Sequence, residues 1–186
     1  MTINGITLDV KADIKQVTKM LGGLQQGKIN RAATRALNKT VTTVRTKAVR
    51  LIAKDIGIKQ QKVRANIILK RARRNFLQAI LSASNRRFTL IEIDPRAKQT
   101  AIGVHLKQQG GRRVIPHAFI IKRRQSGKDA IVKRKTSKRY PLIELRGESV
   151  ADVFTAPAVM NTMQHTANQA WIKNFNHELN YEFSKA

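Results

Sequence analysis

Four histidines and eleven carboxylates are the groups through which this chain could move a proton or hold a metal ion. His105, His117, His165 and His177 are scattered, with no second histidine or carboxylate at metal-ligand spacing. His165 and His177 stand twelve residues apart on one helical stretch, too far to share an ion. Glu92 and Asp94 lie two apart and would point to the same side of a strand. Glu144 and Glu148 flank a turn at Gly147, and either can balance a nearby arginine. Paired acids without a cleft or a metal are a poor basis for acid–base catalysis. The chain has no cysteine, so disulfides and thiolate metal sites are excluded. Phosphate-binding loops and nucleophile elbows are also absent. These residues predict no enzyme, no cofactor and no metal.

The chemistry that remains is electrostatic. Lys and Arg number 37 against 11 Asp and Glu, a formal net charge of +26 in 186 residues. The excess is internal. Nine basic residues and no acid lie between Ile56 and Ile91, and twelve basic residues with Asp129 as the one acid lie between Lys107 and Arg139. From Tyr140 to Ala186 the sign reverses, with three basic and five acidic residues. A folded chain carrying this much like charge repels itself, so it belongs against a polyanion or an acidic partner.

Three basic clusters are the candidate contact residues. Gly110-Gly111-Arg112-Arg113 reads as a tight turn bearing two guanidinium groups. Lys122, Arg123, Arg124 and Lys128, around Ser126-Gly127, read as a second hairpin tip. Lys133, Arg134, Lys135, Lys138 and Arg139 read as a third. Three such loops on one small sheet would present a patch to phosphates or to acidic protein neighbours. No aromatic residue is interleaved with them, which argues against base stacking and base reading, so any contact with nucleic acid should be non-specific.

The elements that must position these clusters follow from periodicity. Thr2 to Val10 can form a short strand, and Lys11 to Leu21 a first helix ended by Gly22, Gly23 and Gly27. Ile29, Ala33, Leu37, Val41, Val44, Ala48, Leu51 and Ile52 make one apolar stripe on a long helix ending at Ile56. Lys28, Arg31, Arg35, Lys39 and Arg50 lie on the other side, where they face either solvent or an anionic surface. Lys59 to Asn66 adds a helical turn. Short β-forming runs then follow at Ile67 to Leu69, Phe76 to Leu81, Phe88 to Ile93, Ile102 to Leu106, Phe119 to Ile121, Ile131-Val132 and Leu142 to Leu145. Phe119 should be core, with Pro116 structural at the start of its strand. Ser149 and Asp152 can cap a short turn through Phe154, and Pro157 suits the first turn of a last helix.

On that helix Val159, Met163, Ala167, Trp171, Phe175, Leu179 and Phe183 recur every four residues. At about 3.6 residues per turn such a stripe drifts about 40° per step. The helix therefore either meets different partners along its length or bends near Asn174 and Asn176. The order predicts an α+β fold, a small twisted antiparallel sheet packed against a long N-terminal helix and a C-terminal helix. It reads as a single domain over 1–186, with helices and a strand in 1–56, a basic antiparallel β region in 57–148 and the C-terminal helix in 149–186. At 41% apolar residues the chain can bury a core. No run approaches a membrane span, and the N-terminus lacks the apolar stretch of a secretory signal. The chain reads as soluble and intracellular by origin.

One succession is more specific. Arg112-Arg113-Val114-Ile115-Pro116-His117-Ala118-Phe119-Ile120 is followed by Gly127, by Ile131-Val132-Lys133-Arg134 and by Arg139-Tyr140-Pro141-Leu142-Ile143. It resembles the core signature of the minor tail protein Z family of tailed bacteriophages, in which an Arg-rich turn, an IP-x-AF-I strand, a Gly-tipped hairpin and an R-Y-P-I strand follow in that order. The likeness is best from Arg112 to Phe154, with a weaker echo at Ala32-Ala33-Thr34-Arg35-Ala36-Leu37-Asn38-Lys39-Thr40. It implies a non-enzymatic tail-completion or neck protein, assembled in the host cytoplasm. Such a protein forms a homo-oligomeric ring at the head-proximal end of the virion tail, between tail and head connector and around the DNA passage. The leading alternative is a non-sequence-specific nucleic-acid-binding protein of nucleoid or ribosome. An enzyme acting on an anionic substrate stands a distant third.

Overall fold

The structure, a computed structural model, describes residues 7–11, 26–108, 111–123, 127 and 129–184. The expected helix over Lys11 to Leu21 falls outside them, apart from Lys11, which ends the strand β1 (Thr7–Lys11). The stripe from Ile29 to Ile52 does build a long helix, α1 (Gln26–Ile56), and its 31 residues span about 46 Å. Gly27 lies inside its first turn rather than ahead of it. Ala32, Ala36, Thr40, Val49 and Ala53 widen the buried stripe beyond the predicted positions. Small residues at the N-terminal half let another helix approach closely.

That helix is α5 (Pro157–Ser184), which runs unbroken through Asn174 and Asn176. The Asn174 side-chain amide donates to the Thr40 hydroxyl at 3.1 Å, satisfying a fully buried polar group in the seam. The step-of-four stripe behaves as its drift requires. Met163, Ala167 and Phe175 are buried, but Phe183 has rotated out to 38% exposed. The positions that rotate in to replace it are Glu178 and Glu182.

Between the two long helices in sequence, α2 (Gln60–Ala65) leads into β2 (Ile67–Lys70). Then come β3 (Gln78–Ala83) and β4 (Arg87–Thr89). The expected strand over Phe88 to Ile93 stops after Thr89. Leu90–Ile93 is a helical turn, α3. A capping box overrides the β-forming run: the Thr89 hydroxyl accepts from the Glu92 amide at 3.3 Å, and the Glu92 carboxylate accepts from the Thr89 amide at 2.9 Å. Glu92 and Asp94 therefore do not share a strand face.

Among the described residues the β content is divided among four small antiparallel sheets. β1, β3 and β2 form one, in the order β1-β3-β2. β5 (Lys98–Gln99), β6 (Gly103–Gln108) and β7 (Gly111–Pro116) form a second. β8 (Ala118–Lys122), β9 (Asp129–Arg134) and β10 (Leu142–Glu144) form a third, in the order β10-β9-β8. β11 (Arg146–Ser149) pairs with β4. Gly147 is therefore within a strand, not a turn between Glu144 and Glu148. Gly103 faces the β7 backbone so closely that a Cβ there would overlap the Ile115 carbonyl, so only glycine fits.

Among the described residues these elements surround two main apolar centres, with a small satellite of Ile29, Ala33, Ala36 and Phe175 between α1 and α5. The larger gathers Leu37, Val44 and Ile52 of α1, Leu81 of β3, Phe88, Phe154 and Met163. Phe154 belongs to α4 (Val150–Phe154), which carries the anticipated Ser149–Asp152 cap. A fully buried side chain of that size contributes about 1.5–3 kcal/mol through apolar burial. The smaller, distal centre gathers Leu90, Val104, Leu106, Ala118 and Ile131. Ile93 packs against both, so α3 is the joint between them.

Candidate nucleic-acid or partner interface

The distal sheets carry the candidate cations, and register decides which of them share a face. On β6, Val104 and Leu106 point into the distal core, so His105 and Lys107 point away from it. Lys98 lies opposite His105, and Arg112 lies opposite Lys107. Lys98, His105, Lys107 and Arg112 therefore share one face of the β5–β6–β7 sheet. With Arg96 they line a cleft of about 470 Å³. Its one carboxylate, Asp94, accepts the Lys107 amide at 2.6 Å and the Arg96 amide at 3.0 Å, so it orders the backbone of the cleft. Arg96, Lys98 and Lys107 were not among the candidates from sequence, because strand pairing, not adjacency, brings them to Arg112.

Of the expected Arg-bearing turn, Gly110 lies outside the described residues and Gly111, Arg112 and Arg113 are strand. Arg112 and Arg113 lie on β7, both exposed, with Arg113 opposite Leu106 and so on the other face from Arg112. Lys122 ends β8 opposite Asp129. Arg123 is ion-paired with Glu144, which also holds Arg146 at 3.1 Å. Arg124 and Lys128 lie outside the described residues. Lys133, Lys135 and Lys138 are exposed.

Arg134 is exposed but folds back over its own sheet. It donates to the Arg139 carbonyl at 3.0 Å, and its guanidinium lies 5.5 Å from the centre of the Phe119 ring. Phe119 is thus a half-buried platform for a cation and not a core residue, because alternation along β8 gives the core to Ala118. Arg139 in turn lies over Tyr140 at 5.7 Å. The loop from Lys133 to Tyr140 is in this way braced by two arginines and presents three lysines.

On the helical side, Arg31, Arg35 and Lys39 meet an anionic surface belonging to the chain itself. Arg35 donates to Glu182 at 2.6 Å and lies 3.9 Å from Glu178. Arg31 lies 3.8 Å from Glu182, and Lys39 hydrogen-bonds Glu178. The glutamate side chains are only 5% and 10% exposed. Burying two carboxylates there is tolerable because three cations surround them. Lys28 and Arg50 take no part in this ladder among the described residues. Asn38, within the alanine-rich echo, is also structural, since its side-chain amide exchanges two hydrogen bonds with the Ala72 backbone, at 3.1 and 2.8 Å.

Two acids are held below the usual carboxylate range by their caps. For Glu92, burial pulls the other way but is outweighed by the Thr89 amide and hydroxyl together with Arg86 and Lys62. For Asp152, the Ser149 amide leads. Among the described residues no three His, Asp or Glu side chains are grouped to hold a metal ion, and no helix is long and apolar enough to cross a membrane.

The arrangement is that of a charged scaffold, with two helices clasped over one core and a basic β extension over another. The chain belongs to the prophage minor tail protein Z (GPZ) family, whose model matches residues 12–186. No curated protein and no solved structure matches it significantly. Membership supports a structural role in a bacteriophage virion tail, among other tail proteins, and implies a non-enzymatic protein.

Proposed function

We propose that the chain, acting as one domain, completes the head-proximal end of the tail. Several copies form a ring that joins the tail to the head connector and surrounds the DNA passage. The observation that carries this reading is where the acids go. Glu178 and Glu182 are consumed inside the helical clasp, and Asp94 is consumed by backbone amides. Lys98, Lys107 and Arg112 are left on an exposed sheet face without a carboxylate ion pair among the described residues. Such a face suits DNA phosphates, contacted without sequence preference.

The test is a Lys98→Gln/Lys107→Gln/Arg112→Gln variant, checked for an unchanged melting temperature. Duplex binding by the parent should fall steeply with salt, and in the variant the log–log slope should shrink by about 0.9 for each phosphate it no longer touches. Mutant tails mixed with wild-type heads should give fewer infectious particles, and electron microscopy of parental tails should find the chain as a ring at the head-proximal end. Parental particle yield from a folded variant, or density elsewhere in the tail, overturns the reading.

A further inference from the structure

A second cationic site lies on the helical half, away from the distal sheets. A pocket of about 720 Å³ opens between α1, α2 and the outer edge of β2, which has no strand partner among the described residues. Arg45, Arg64 and Arg71 line it, with Gln60, Ile68 and Leu69. No carboxylate contributes to the lining, and among the described residues none of the three arginines has an ion-pair partner.

Arg45 is held in a fixed pose. One terminal nitrogen donates to the Arg64 carbonyl at 3.0 Å and to the Ile67 carbonyl at 2.9 Å. Its Nε is buried and has no hydrogen-bond partner. A buried donor left unmade is costly, more so on a charged group, so the arrangement is incomplete as it stands. Burial, and then the charge of Arg64, also lower the Arg45 pKa, which marks a cation lacking its counter-charge.

We infer that this pocket receives a carboxylate from an acidic, partly apolar segment of a neighbouring protein, seated between Arg64 and Arg71 beside Arg45. An oxyanion there accepts from the exposed Arg64 and Arg71 guanidinium groups and brings a counter-charge beside Arg45, whose own Nε stays buried, so three like charges are neutralised together. The apolar lining selects the kind of donor. Ile68, 38% exposed, and Leu69 offer burial that a sugar–phosphate backbone cannot use, whereas an Asp or Glu flanked by leucines fills both halves of the pocket. The inference stands on this pocket alone, whether or not the distal sheets meet DNA.

The test titrates the full chain with the peptide Ac-Leu-Asp-Glu-Leu-NH2, its Asn-Gln counterpart and a short DNA duplex. The readout is the Nε–H resonance of Arg45, assigned with an Arg45→Lys variant. Because Arg45 also pins α2 to β2, affinity is tested in Arg64→Gln/Arg71→Gln, whose side chains are exposed. The acidic peptide should shift the Arg45 resonance saturably and the amide peptide should not. The double variant should bind the acidic peptide at least about tenfold more weakly at an unchanged melting temperature, as expected for losing charge-assisted hydrogen bonds. No shift, an equal shift with the amide peptide, undiminished affinity in the double variant, or a shift with duplex alone each overturns the assignment.

Discussion

The helical clasp and the distal sheets use the same residue types in opposite ways. On α1, Arg31, Arg35 and Lys39 are turned against Glu178 and Glu182 and help to close a core. Between Leu90 and Leu145, fourteen Lys and Arg face four acids, and most of those acids are already committed to backbone amides or to Arg123 and Arg146. The clasp is electrostatically closed, while most cations of the distal region have no carboxylate ion pair among the described residues. A net charge of +26 is therefore a poor guide to the surface unless one knows which cations are neutralised at home.

The comparison breaks most readily at the two cores. Phe154→Ala, in the larger centre, should cost about 3–5 kcal/mol and unfold the whole chain in one transition. Leu106→Ala, in the smaller one, should cost about 2–5 kcal/mol, but lost hydrogen-exchange protection should be confined to the distal strands. Uniform loss of protection in both variants would mean that the two centres are one cooperative unit.

The clasp itself is next. Glu178→Gln with Glu182→Gln leaves three cations facing each other, each 38% to 54% exposed. That exposure lowers the expected penalty below that of a fully buried pair, to about 1–3 kcal/mol in denaturant unfolding. A stability unchanged by the substitution would show that the ladder is decoration on apolar packing.

The caps are smaller. Ser149→Ala should cost about 1 kcal/mol. Asp152 and Glu92 have folded pKa values lowered from the ordinary ones, so their stabilisation is present above the unfolded values near about 4 and is lost as pH falls through the folded ones. Asp152→Asn should flatten the acid limb of the stability–pH curve, and an unaltered limb refutes the assignment.

The smallest effect should come from the open region. Lys133→Gln/Lys135→Gln/Lys138→Gln should change stability by less than about 0.5 kcal/mol. A larger loss would mean that these lysines, like the cations of the clasp, have partners inside the fold.

Much of this architecture was legible because local physics decides it. The spacing from Ile29 to Ile52 specifies a helix whatever surrounds it, and Ser149 with Asp152 and Pro157 mark the two helices that follow. The α+β class, the basic middle and the absence of thiol chemistry also follow from residue order and composition alone. Where two local signals compete, the shorter-range one prevails: Phe88 to Ile93 reads as a strand but contains the Thr89–Glu92 capping box, and the box closes a helical turn.

The tertiary structure alone decided which charges are free. Arg31 and Glu182 are 151 residues apart, and only the packing of α1 on α5 makes them neighbours. That packing places glutamates where the step-of-four stripe has drifted off the seam. In the same way, Arg112 joins Lys98 and Lys107 because β-pairing registers them on one face, and Phe119 leaves the core because Ala118 takes the inward position. Periodicity reports which side of an element is apolar. It does not report what is opposite that side, and for a cation the group opposite determines whether it closes a fold or waits for a partner.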